Sequence, residues 1–182
     1  MAMVDASLEV EQLIDKRAAN PHISNDNFVE VPEDVEEPVW KYELLRYFTV
    51  QLSDLAVQLS EECSADTCPD MRASEEWQFL CACHSTPQEC SAISYMMHNL
   101  QQAENTLAGE RFFESRLRVS PAGMKQVDTY TRRLYRILAH AYFQHRSCFD
   151  AFEAKTRIHG RYHAFATRFH LISKEHLIIP AP

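Results

Sequence analysis

Two cysteines and two histidines are the residues of this 182-residue chain best spaced to do chemistry together. Cys63 and Cys68 are spaced C-x4-C, and His140 and His145 are spaced H-x4-H. Two thiolates and two imidazoles form a complete tetrahedral donor set for Zn²⁺, and both spacings suit structural zinc sites, C-x4-C at the loose end. Residues 69–139 separate the pairs, far more than a zinc finger would have. A shared ion would therefore clip two distant elements together. Spacing alone leaves another reading open, in which these are two surface thiols and two helix histidines. The clip makes a demand on the backbone. Five residues of a regular helix turn through about 500°, leaving the two histidines about 140° apart. The helix must bend or end between Ala141 and His145, or carry a π-bulge there.

Cys81, Cys83, His84 and Cys90 form a second possible cluster. Cys81 and Cys83 would share one face of a strand, and the preferred reading is small buried hydrophobes rather than ligands. His98, His159, His163, His170 and His176 are scattered and receive no role.

Arginine makes the third constellation. Seven of the 18 basic residues fall between Arg111 and Arg136, opposed only by Glu114 and Asp128. Arg132 and Arg136 are i, i+4 with Arg133 beside them, so three guanidinium groups can converge on one helix face. Such planar forks suit phosphate, because each can bond two oxygens at once. The alternative is that these arginines pair with the acidic first half of the chain. Residues 1–70 carry 4 basic and 16 acidic side chains, and residues 71–182 carry 14 and 10.

Composition removes other chemistries. The chain has three glycines, Gly109, Gly123 and Gly160, where average usage would give roughly a dozen. No G-x-G-x-x-G loop, phosphate loop or G-x-S-x-G elbow can be written. The net charge of −8 disfavours nucleic acid as a partner. No apolar run is long enough to span a membrane. The acidic start, with Asp5, Glu9, Glu11 and Asp15, does not resemble a secretory signal, so an intracellular, reducing setting is expected.

These residues must be held by mostly helical elements. Val4–Arg17 reads as a short helix, and residues 18–38 as extended chain broken by turn formers and Pro32 and Pro38. Trp40, Leu44, Phe48, Leu52, Leu55 and Leu59 recur at helical steps and predict a helix of about five turns. Residues 76–90 alternate like a strand or hairpin arm. Helices are expected over 92–107, from Pro121 to about His145, and over 147–158 and 160–171.

Four blocks then carry a resemblance. They are VWKYELLRYF from Val39, the Cys63–Cys68 pair with Met71, WQFLCACHSTPQEC from Trp77 to Cys90, and RRLYRILAHAYFQH from Arg132 to His145. Together they resemble the Mob family, and the last two resemble its phocein branch. The resemblance covers about residues 30–180. It implies an all-α fold, a Mob-type four-helix-bundle core with additional helices and a zinc clip, to which the alternating segment adds a small β-hairpin. Residues 1–27 are expected to be a partly flexible N-terminal extension, and 28–182 the Mob/phocein domain. The zinc ligands carry over to Cys63, Cys68, His140 and His145, with Zn²⁺ structural.

The resemblance also implies an adaptor without catalytic activity. Phosphothreonine-peptide binding carries over to Arg132, Arg133 and Arg136. The implied partners are a striatin-like scaffold, protein phosphatase 2A subunits and germinal-centre kinases. The expected location is cytoplasmic, with peripheral attachment to endomembranes through partners. The alternative is a direct coactivator of NDR/LATS-type kinases. That branch typically has Glu just before the Trp that opens the first long helix, where this chain has Val39. A zinc hydrolase is a third reading; it would need an open metal position, and no H-E-x-x-H occurs.

Overall fold

The apolar stripe from Trp40 to Leu59 becomes the centre of the molecule. The computed structural model describes residues 2–182, with side chains from Ser7 onward. Its helices are α1 (Ala2–Ala19), α2 (Asn25–Val29), α3 (Glu37–Leu59), α4 (Ala92–Ala108), α5 (Pro121–Gln144), α6 (Arg146–Thr156) and α7 (Ile158–Arg168), followed by a 3-10 turn at Lys174–His176. All six residues of the stripe are fully buried. Tyr42, Leu45 and Thr49 on other faces of α3 are buried as well, so α3 is enclosed by its neighbours. α4, α5 and α7 pack on α3, and α4 and α7 each also pack on α5. This is the helical bundle that the resemblance implies.

Local chemistry sets the helix ends. α3 opens with Pro38 in its first turn, where a missing N–H costs nothing. Ser91 caps α4 by accepting from the Ser94 N–H, and Ser120 caps α5 by accepting from the Gly123 N–H. A Cβ at Gly123 would lie 2.8 Å from the Phe112 carbonyl oxygen, so the preceding loop can approach α5 only because no side chain is there. α6 and α7 meet at Arg157, a left-handed residue with φ 57°. Its guanidinium donates to the Ile23 carbonyl and to Asn25 Oδ1, tying the junction to the start of α2.

The expected N-terminal helix is present and longer than Val4–Arg17, whereas the segment after it differs from expectation. Helix α1 spans Ala2–Ala19, and Val10 and Ile14 on it are buried. The segment expected to be extended contains α2, capped by Ser24 and burying Phe28 and Val29. The Trp40 indole N–H donates to the Val29 carbonyl at 2.9 Å, which fixes α2 against α3. Burial of two apolar side chains and one good cap outweigh the turn-forming composition.

The expected hairpin is reduced to isolated antiparallel bridges, Arg72 with Gln78 and Cys81 with Gln88. The chain reverses between Ala73 and Trp77, where the Ala73 N–H donates to the Trp77 carbonyl, and again between Cys81 and Gln88. Two reversals this close leave no length for a ladder.

Candidate metal centre

Cys63 sits just beyond α3, its N–H donating to the Leu59 carbonyl at 2.7 Å. The loop to Cys68 is folded by its own hydroxyls. Ser64 Oγ accepts from the Asp66 and Thr67 N–H groups, and Thr67 Oγ1 donates to the Glu62 carbonyl. The Cys68 carbonyl then accepts from the Ala92 N–H, joining the loop to the start of α4. His140 lies on α5 and is fully buried. α5 ends at Gln144, and His145 follows in non-helical geometry, φ −133° and ψ 52°, before α6 starts. A helix end before His145 is one of the solutions that the spacing demands, and it turns the second imidazole back toward the first. The two rings lie 5.1 Å apart.

The donor atoms of Cys63, Cys68, His140 and His145 all lie within 4.8 Å of one another. His140 Nε2 is 3.5 Å from Cys63 Sγ, and His145 Nε2 is 3.3 Å from Cys68 Sγ. The far nitrogen of each ring faces an oxygen. His140 Nδ1 is 2.6 Å from the Arg72 carbonyl, and His145 Nδ1 is 3.3 Å from Glu62 Oε1. A proton on Nδ1 therefore leaves the Nε2 lone pair aimed at the sulfurs, the tautomer a metal needs. Burial, reinforced by Cys68, pushes the Cys63 thiol up to about 12. Burial pushes His140 down to about 4. The pocket thus disfavours a lone thiolate and a lone imidazolium. A divalent cation resolves this, because it stabilises thiolate and requires neutral imidazole. The four residues that the sequence singles out are together and could hold a metal ion.

Arg132, Arg133 and Arg136 also come together. With Gln78, Phe79, Leu80, Ala82 and Thr129 they line one cavity of about 400 Å³. Arg133 donates to Gln102 Oε1 at 3.0 Å, and Arg136 donates to the Tyr95 hydroxyl at 2.9 Å and lies over the Phe79 ring. These neutral partners orient the guanidinium groups without cancelling their charge. Among the described residues none of the three forms an ion pair. The acidic first half instead takes Arg116, which donates to Glu43 and Glu11. Glu43 is 2% exposed and also receives Arg46. Hydrogen bonding to Arg116 pulls the Glu11 carboxyl below its usual range.

The second possible cluster of the sequence, set aside there as buried hydrophobes, comes together with His98 in place of Cys83. Cys81, His84, Cys90 and His98 have their donor atoms within 4.8 Å of one another. Cys83 stays outside, donating to Gln102 Oε1 at 3.4 Å. The available signal was C-x2-H-x5-C followed by a histidine in the next helix. Alternation of Cys81 and Cys83 drew attention to the wrong pair.

A helical bundle whose core helices are joined by a Cys2His2 group is the architecture that the Mob resemblance implies. A model of the Mob1/phocein family matches residues 17–180, and the chain belongs to that family. It is 42% identical over 177 residues to MOB kinase activator-like 4 of Drosophila melanogaster, covering 97% of this chain and 79% of that protein. It is 39% identical over 178 residues to MOB-like protein phocein of Caenorhabditis elegans, again 97% and 79%. The DBF2 kinase activator protein MOB1 of Saccharomyces cerevisiae is more distant, 27% identical over 142 residues, covering 75% of this chain and 45% of that protein.

Proposed function

We propose that this chain is a non-catalytic, zinc-stabilised adaptor of a striatin-based phosphatase–kinase assembly, and that Arg132, Arg133 and Arg136 bind phosphothreonine peptides of germinal-centre kinases. The arginine cavity carries this reading. Three guanidinium groups face one space, two of them held by neutral acceptors and none paired with an acid among the described residues. A phosphate dianion supplies the missing charge and three strong acceptors. The striatin scaffold and phosphatase 2A subunits rest on likeness to the phocein branch.

Zinc is the ion proposed for Cys63, Cys68, His140 and His145. Zinc–sulfur bonds of about 2.3 Å and zinc–nitrogen bonds of about 2.05 Å make a tetrahedral S···N edge of about 3.6 Å. The S···N distances of 3.5 and 3.3 Å suit it. Four protein donors fill the tetrahedron, which fits a structural site and gives a hydrolytic water no position. In this reading residues 28–182 are the Mob/phocein domain and 1–27 an extension. The protein works in the cytoplasm and reaches endomembranes through partners. Among the described residues no helix is long and apolar enough to cross a membrane.

The alternative is direct coactivation of NDR/LATS-type kinases, in keeping with the kinase-activator names of relatives. Val39 argues against it. The residue is 3% exposed, so this position offers no acid to a basic kinase arm. A Glu there would be a buried charge and would damage the fold, so the test uses the unaltered protein. A pull-down should recover striatin and phosphatase subunits, and calorimetry should show binding of a phosphothreonine peptide but not its plain form. Recovery of an NDR-type kinase, with tight binding of its basic arm, would establish the alternative instead.

A further inference from the structure

Among the described residues the clip is one of two Cys2His2 groups, and the second accounts for a segment that regular structure does not hold. Residues 80–90 contain no helix and no strand, and their backbone pairing is the Cys81–Gln88 bridge. Cys81 is fully buried at that bridge, and His84 lies in the reversal beyond it. Cys90 directly precedes the Ser91 cap of α4, and His98 lies two turns into α4. Four residues from a loop, a helix approach and a helix thus meet at one point.

Their spacing is that of ligands. His84 Nε2 is 3.1 Å from Cys90 Sγ, while His98 Nδ1 is 3.8 Å from both Cys81 Sγ and Cys90 Sγ. These values bracket the edge of about 3.6 Å expected between sulfur and nitrogen around zinc. The His84 and His98 rings stand 5.0 Å apart at 86°, so neither blocks the other's approach to a common centre. The buried Asn99 side chain donates to Cys81 Sγ at 3.7 Å, a contact that stabilises negative charge on sulfur. Hydrogen bonds alone explain the set poorly. One His98 nitrogen faces two sulfurs, and it can donate well to only one of them.

We infer that Cys81, His84, Cys90 and His98 form a second structural metal site, for Zn²⁺ or a similarly thiophilic divalent ion. Binding exchanges two thiol protons for one ion and leaves a neutral centre, which suits a half-buried position. Soft sulfur donors with imidazole in tetrahedral array exclude magnesium and calcium, which take oxygen. The ion closes the 81–98 loop. It also braces Phe79, Leu80 and Ala82, which form a wall of the arginine cavity.

Native mass spectrometry and elemental analysis of the full chain, expressed with zinc, test the inference. Two zinc ions per chain are expected. Cys90→Ser and His98→Ala should each lose one ion, Cys68→Ser should lose the other, and Cys68→Ser/Cys90→Ser should lose both. A metal content that Cys90→Ser and His98→Ala leave unchanged overturns the second site, whether the unaltered chain holds one ion or two. Should these variants fail to fold, cobalt titration of the stripped unaltered chain decides. Thiolate-to-cobalt absorption should rise to two equivalents, and saturation at one overturns the inference. Loss of the signal in Cys68→Ser tests the first site separately, so the two assignments can fail independently.

Discussion

The two Cys2His2 groups are alike in donors and opposite in reach. The first draws Cys63, just after α3, to His145, just after α5. The second gathers a segment running from Cys81 to His98. Loop closure does not make the main difference. By the logarithmic law, the longer closure is worth only about 1–2 kcal/mol more than the shorter. What matters is what each group fastens. The first joins the ends of two helices that pack together in the core, whereas the second fastens a loop to the start of α4. The imidazoles differ too. Both rings of the first group set Nδ1 against an oxygen. Among the described residues neither ring of the second group has such an oxygen contact. Oxygen partners fix the ring and raise its basicity, and losing one typically weakens metal binding about 10–100-fold.

The largest expected effect is therefore loss of the first clip. Structural zinc contributes about 10–16 kcal/mol in small peptides, and a whole domain is stable by only about 5–15 kcal/mol. Most of the buried apolar core lies outside the metal group, so the loss here should be smaller than the peptide figure. Cys63→Ala or His140→Ala should still lower the melting temperature strongly, and Cys90→Ser much less. Thermal melts followed by circular dichroism check both. A metal-free protein that melts like the loaded one would break the clip reading. Graded chelator should remove metal in two steps, with the second group first, followed by cobalt absorption. Release in the opposite order would show that oxygen partners do not govern affinity here.

Acid should attack the clip, and a third site offers a control for that attack. His159 is 4% exposed, and its Nε2 is buried with no hydrogen-bond partner among the described residues. Burial, then the nearby His163, pushes it from 6.5 down to about 4. The unfolded chain takes up this proton near pH 6.5 and the folded chain only near 4. The contribution is therefore complete above pH 6.5 and is lost as pH falls toward 4, to a total of about 3 kcal/mol. His159→Phe should flatten that part of the acid limb, read as the difference between two denaturant-melt series. Metal loss is common to both series and cancels. An unchanged acid limb would mean that the clips alone set acid stability.

The first group was legible in the sequence because two spaced pairs suggested one donor set and the Mob resemblance chose it over surface thiols and helix histidines. H-x4-H cannot serve one ion from an intact helix, so spacing asks for a bend, a helix end or a π-bulge, and the structure shows the helix end before His145. The stripe from Trp40 to Leu59 was legible on its own, since a period sustained for five turns fits little else. The second group was hidden by local ambiguity. Alternation in WQFLCACH suggested one strand face, whereas the chain reverses twice within residues 73–88. His98 could be assigned only once the loop was known to fold back on α4. α2 was hidden because five residues carry no period, and its stability lies in Phe28 and Val29 meeting the core. Arg116 and the three cavity arginines look alike in sequence; only the fold shows which one meets Glu43.

Arginine loss should have the next effect in size. Hydrogen bonds to charged groups contribute about 1.5–3 kcal/mol each, so one lost guanidinium should weaken a phosphothreonine peptide about tenfold to a hundredfold. Arg132→Ala should do this with little change in melting, since an exposed arginine contributes little to folding, and Arg133→Ala with a small loss, since that half-buried side chain bonds Gln102. Arg136→Ala should cost some stability as well, because that side chain lies over Phe79 and bonds Tyr95. Raised salt should weaken binding in the unaltered chain. Equal affinity for phosphorylated and plain peptide would remove the phosphate pocket.

The smallest effect connects the second metal group to the arginine cavity. Gln78, Phe79, Leu80 and Ala82 line that cavity, and Cys81 lies among them. Without its ion the loop keeps the Cys81–Gln88 bridge but gains freedom around it. Ordering one residue's backbone costs about 1–2 kcal/mol, so a partly loosened wall should weaken the peptide only a few-fold. Arg136, resting on Phe79, should carry most of that change. In Cys90→Ser, hydrogen exchange should therefore speed up over residues 78–90 and stay unchanged in α3 and α5, alongside the few-fold loss of affinity. In Arg136→Ala, the further loss on adding Cys90→Ser should shrink, because the arginine that senses the wall is gone. Equal losses in both backgrounds would mean that the second ion holds its loop without reporting to the cavity, and exchange that quickens across α3 would mean that it belongs to the core after all.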